Sequence, residues 1–165
     1  MRATRVVALA LVLVVAALAS WWFFGQRSQQ PDTIAVYYVK TDGATVVPWR
    51  VTLGPARKPG DVAFYAAVQA VAGPPAGVEA VRFPRGTRVL STDLDGATAV
   101  VDLSNDVGAN VEGSFTEAAE FKALVYTLTA LPGITAVRVH VGGQTVATLP
   151  GGHLELDEPL TRQSF

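Results

Sequence analysis

Apolar and polar positions divide the chain into one long uncharged run and a series of short segments with strand or helix periodicity. The uncharged run is Val6 to Phe24. As a helix it would be about 28 Å long, close to the ~30 Å thickness of a bilayer's hydrocarbon core. Val6, Leu9, Leu13 and Leu18 belong to its apolar body. Trp21, Trp22, Phe23 and Phe24 cluster at its exit end, and Trp is favoured at the headgroup level. Arg2 and Arg5 precede the run and only Arg27 follows closely, which predicts a cytoplasmic N-terminus with all later residues outside. Residues 1–25 therefore read as a single-pass transmembrane anchor. A cleaved signal peptide is the competing reading, because Ala17-Leu18-Ala19 has the small-x-small form that precedes a cleavage point. Cleavage there would leave Trp-Trp-Phe-Phe at the mature terminus, and in either case the remainder is exported. Residues 26–33, polar and containing Pro31, form a linker to a domain spanning 34–165.

In that domain, Ile34 to Lys40 is rich in β-branched and aromatic residues and predicts a strand. After the turn at Asp42-Gly43 a second strand runs from Thr45 to Thr52, with Pro48 placing it at a sheet edge or bulge. Asp61 is a candidate N-cap for a helix from Val62 to Ala72, whose buried face would be Phe64, Ala67, Val68 and Val71. Asp95-Gly96 suits a two-residue hairpin turn, pairing Leu94 with Ala97, Thr92 with Ala99 and Leu90 with Val101. Ser114 and Glu117 form a capping box for a helix reaching Leu131, with Ala118, Phe121, Val125, Leu128 and Leu131 as its apolar stripe. Val137, Val139 and Val141 alternate with Arg138 and His140. Gly142-Gly143 then turns the chain back into Gln144 to Leu149. The order β-β-α-β-β-α-β-β predicts an α+β fold, with two amphipathic helices on one face of a mixed or antiparallel sheet of about six strands.

Charge and composition narrow the function. Residues 31–165 carry ten Lys and Arg (13 less Arg2, Arg5 and Arg27) against all 14 acids, a net charge of −4. That excludes the basic footprint of a nucleic-acid binder. No Cys is present, and His140 and His153 are the two histidines, so a transition-metal site would rest on carboxylates. No phosphate loop or hydrolase elbow occurs, and no cofactor is implied. Arg82, Arg85 and Arg88 form the one local basic cluster, interleaved with Phe83; solvated loop charge explains them better than an anionic partner does. Asp93, Asp95 and Asp102 read as polar positions of a hairpin. Ser114 reads as a cap, and Glu117 and Glu120 as stabilisers of a helix N-terminus.

Several ordered blocks nevertheless form a pattern. Pro84-Arg85-Gly86-Thr87-Arg88-Val89-Leu90 leads into Asp95-Gly96-Ala97-Thr98-Ala99-Val100-Val101-Asp102-Leu103-Ser104. Gly113-Ser114 with Glu117, Val125 to Gly133, Gly152-His153 and Glu158-Pro159-Leu160-Thr161-Arg162 follow. With the Val36-Tyr37-Tyr38-Val39 strand and Gly73-Pro74, this set resembles the GerMN-domain family of sporulation and spore-germination proteins over nearly all of residues 34–165. The resemblance implies a small α/β domain, exported and membrane-tethered, without known catalytic activity, that acts as scaffolding around a trans-envelope complex. It brings no catalytic residues, and implies that the segment from Gly152 to Thr161 closes the structure. The GerM type has two such domains and a lipid-bearing Cys, whereas this chain has one domain and no Cys.

The expected function is therefore a non-enzymatic interaction or scaffold module at the outer face of the bacterial cytoplasmic membrane. Its partner would be an envelope protein or a second copy, joined through a strand edge such as Ile34 to Lys40 or Gln144 to Leu149. A second reading is a module for cell-wall glycan or peptide (peptidoglycan) using Tyr37 or Trp49. A third is a hydrolase using Asp102 or Glu120 with His153.

Overall fold

Alternating apolar residues from Thr33 onward build β1 (Thr33–Val39), which pairs antiparallel with β2 (Val46–Thr52). Asp42 fixes the turn between them. Its Oδ2 accepts from the Thr45 hydroxyl at 2.6 Å and its Oδ1 from the N–H groups of Thr45 and Ala44, each at 2.9 Å. These bonds, the hydroxyl's above all, hold the carboxyl below its ordinary pKa of 3.8. The computed structural model describes Val14 and residues 33–54, 58–109, 114–150 and 152–165. Asp32–Phe165 forms one compact unit.

Helix α1 (Pro59–Ala72) starts three residues earlier than its apolar pattern predicts. Pro59 opens it, because a missing N–H costs nothing in a first turn. Asp61 is then not the N-cap but the third helical residue, and its Oδ2 accepts from Lys58 N at 3.2 Å. The buried face is also rotated: Val62, Ala63, Ala66, Ala67, Ala70 and Val71 are inside, while Phe64 is exposed and Val68 half-buried. Small alanines let the helix approach its neighbours closely, so apolarity alone does not choose the face. Gly73 ends the helix at φ +84°.

The second sheet has the order β3 (Val89–Asp95), β4 (Thr98–Leu103), β5 (Ala136–Val141), β6 (Gln144–Thr145). β4 and β5 are parallel, joined through helix α2 (Ser114–Leu128), because a parallel pair needs a crossover. The β3–β4 hairpin turns at Gly96-Ala97 rather than Asp95-Gly96, so Leu94 faces Ala99 and Thr92 faces Val101. A slip of two residues leaves every side chain on its original face, which hides it from the alternation pattern. The same slip gives Val101 to Thr92 in place of the expected Leu90, and a bulge at Leu90 leaves that residue unpaired and exposed. The last strand is two residues long, not six. Beyond Thr145 the backbone bonds instead to the closing segment, with Leu156 N donating to Ala147 O at 2.7 Å.

The predicted single sheet is thus two sheets. Among the described residues the second edge of β1 meets no strand: Tyr37 N donates to Thr127 Oγ1 at 2.8 Å, and Val39 O accepts from Val81 N at 2.8 Å. A helix side chain and a loop occupy that edge at Tyr37 and Val39, and the hairpin stays separate from the second sheet. Both helices touch both sheets and each other. The core between them includes Val36, Val101, Leu103, Leu124, Val125, Leu128 and Val137, with Phe83 and Phe121 in edge-to-face contact at 5.7 Å. Leu149, Leu156 and Leu160 close it, and Leu160 bridges to Val137.

Among the described residues no helix is long and apolar enough to cross a membrane. The predicted anchor residues, Val6 to Phe24 with the exception of Val14, lie outside the described residues.

Candidate functional site

β2 is the outer strand of its hairpin, and the residues on its inner face overhang the margin of the core. Trp49 pairs with Val36 and therefore shares its face, yet Val36 is fully buried while Trp49 is 45 % exposed. Beside the indole opens a cleft of ≈ 590 Å³, bounded by Lys40, Thr41, Val47, Pro48 and the loop Gly77-Val78-Glu79.

Tyr37 lies on the other face of the hairpin, opposite Pro48. Its ring packs edge-on against Tyr126 at 6.2 Å. The Arg162 guanidinium stands 4.8 Å from the Tyr126 ring centre and 5.8 Å from that of Tyr37. Arg162 is fixed in turn by donating to Thr129 Oγ1 at 2.8 Å and Tyr126 O at 3.2 Å. Tyr37 and Trp49 are therefore not parts of one surface.

The three arginines separate as well. Arg82 Nη2 donates to Pro74 O at 2.9 Å and ties down the loop after α1. Arg82 and Arg85 line a cleft of ≈ 390 Å³ together with Phe83, Thr116 and the buried Glu120. Arg88 is not among the described residues lining it; its main chain exchanges bonds with Ser104.

Asp102 and Glu117 are occupied structurally. Asp102 Oδ1 accepts from Gly143 N at 2.9 Å across the sheet edge. Asp93 and Asp95 face Val100 and Thr98 rather than another carboxylate. Glu117 does not turn back to cap its helix. It is 2 % exposed, and its Oε2 accepts from His153 N at 2.7 Å and Leu154 N at 3.3 Å. Those two backbone donors belong to the closing segment and would otherwise need another partner, so the tertiary bond prevails over the local cap. One sequence signal pointed there: Glu117 stands four residues before Phe121, on the same stripe as Val125 and Leu128. Neither Asp102 nor His153 is among the described residues lining the cleft beside Glu120. Among the described residues no group of three or more His, Asp or Glu side chains is placed to hold a metal ion.

The two-sheet α+β arrangement is the fold of a GerMN domain. The chain is similar to the tandem GerMN domains of the sporulation protein GerM from Bacillus subtilis at 23 % identity, with a TM-score of 0.65. That match covers 81 % of this chain and 47 % of the tandem structure, so the chain spans about half its length. The first GerMN domain of the same protein, also 23 % identical, aligns over 79 % of this chain and 98 % of its own, with a TM-score of 0.64. A proposed lipoprotein from Clostridium perfringens is 19 % identical over 82 % of this chain and 94 % of its own, with a TM-score of 0.58. No curated protein matches the chain. The Germane family model, described as sporulation and spore germination, matches residues 35–147, and the chain belongs to that family.

Proposed function

We propose that this protein is a non-enzymatic interaction or scaffold module of the bacterial cell envelope, held at the outer face of the cytoplasmic membrane by a single N-terminal span. The observation that carries the reading is the uncharged run Val6–Phe24 placed just before a Germane domain. Residues 26–33 then act as a tether that keeps the domain, and any partner, close to the membrane surface. A structural relative described as a proposed lipoprotein fits an envelope location. The partner is a second envelope protein or another copy of this chain.

Cell fractionation with in-cell crosslinking tests this. The expected result is an uncleaved chain that stays with membranes through an alkaline wash and crosslinks to a discrete partner. A chain found only as a free monomer in the soluble fraction would overturn the reading. A membrane-free chain shortened after Ala19 would replace the anchor with a signal peptide.

A further inference from the structure

An exposed indole on the core-facing side of a strand calls for an explanation, since aromatic side chains gain most from burial. At Trp49 that indole opens onto a cleft with both kinds of charge at its rim, Lys40 and Glu79, and a hydroxyl at Thr41. All three are exposed, and the Lys40 charge also acts on the carboxylate of Asp42 in the adjoining turn. Gly77 lies in the facing loop at φ +86°, and a side chain there would meet nothing within 4 Å, so that wall is open backbone.

We propose that the Trp49 cleft binds a neutral saccharide chain. A pyranose presents a face of C–H groups carrying slight positive charge, which matches the negative face of the indole. Its hydroxyls both donate and accept. Glu79 can accept from them, Lys40 can donate, and Thr41 can do either. The rim carries both signs of charge rather than a cluster of one, and the net −4 of residues 31–165 disfavours an anionic polymer. The ≈ 590 Å³ volume lies within the range of small-ligand sites. A protein docking face needs about 800 Å² per partner, more than such a cleft offers. Strand addition by a peptide along β2 is hindered by Pro48, which lacks an N–H. This inference goes beyond the scaffold role and does not depend on membrane attachment, so the two can fail separately.

The full chain in detergent micelles, with Trp21→Phe and Trp22→Phe, leaves Trp49 as its sole tryptophan and fluorescent reporter. Titration with chitotetraose and cellotetraose should shift Trp49 emission saturably, with half-saturation below about 1 mM. By calorimetry, Trp49→Ala should abolish binding, while Glu79→Gln and Lys40→Met should each weaken it about tenfold. Far-UV circular dichroism of the variants should be unchanged, since all three side chains are exposed. No saturable response to either tetrasaccharide, or binding that survives Trp49→Ala, would overturn the proposal. So would saturation by a proline-rich peptide in place of the sugars, which would assign the cleft to a protein segment.

Discussion

Glu117 carries a carboxyl group into the core margin at 2 % exposure, with Oε2 bound to two backbone N–H groups and Oε1 buried without a hydrogen-bond partner among the described residues. Removing it with Glu117→Ala strands both donors, at a cost of about 2–3 kcal/mol. Equilibrium urea denaturation should show a lower midpoint with an unchanged slope. Gly152 matters for the same reason: a Cβ there would collide with Glu117 Oε1 and come within 3.0 Å of the Glu117 carboxyl carbon. Gly152→Ala should therefore destabilise the native protein strongly and cost less in the Glu117→Ala background, where only the contact with Leu149 Cβ at 3.0 Å remains, a coupling that a double-mutant cycle would read directly. Two other residues link stability to pH. Burial pushes the Tyr38 phenol above its ordinary 10.0, opposed by the charge of Arg82, and its O–H donates to Gln69 O at 3.3 Å. Its stabilisation is complete below pH 10.0 and is lost as pH rises toward the raised value; Tyr38→Phe should flatten that decline. Asp42, held low by its Thr45 and Ala44 bonds, stabilises above pH 3.8 and ceases to do so as pH falls through its lowered pKa. Side-chain NMR titration of Asp42 should show that depressed midpoint.

At the scale of elements, the junction of β1 with α2 decides the architecture. Thr127 is fully buried, accepts from Tyr37 N at 2.8 Å and donates to Ala123 O at 2.8 Å within its own helix. Thr127→Val keeps the volume but leaves the Tyr37 N–H unsatisfied, which should cost about 1–3 kcal/mol and speed hydrogen exchange at that amide. Strands β1, β4 and β5 and the two helices were legible from their periods because each buries one face. What periodicity could not supply was register and edge. Leu94 faces Ala99 instead of Ala97 because turn geometry at Gly96, not alternation, selects between registers two residues apart. In α1 the inner face is written in alanine, so Phe64 and Val68, the more apolar markers, pointed to the wrong side.

For the whole molecule, the two sheets are held together by helices that touch both, and the closing segment seals the margin through Leu149, Leu156 and Leu160. Deleting residues from Leu156 onward should expose that margin and lower the thermal midpoint, measurable by scanning calorimetry with increased binding of a hydrophobic dye. The sequence by itself determined the order of elements, the absence of any thiol chemistry, the low charge that argues against nucleic acid, and the family resemblance. These properties are local or additive along the chain. Only tertiary structure decided that β1 ends its pairing at a threonine rather than a strand, that Glu117 binds the closing segment, and that Tyr37 and Trp49 face apart. Each depends on groups brought together from distant parts of the chain, where hydrogen bonding and burial, not sequence spacing, select the partner.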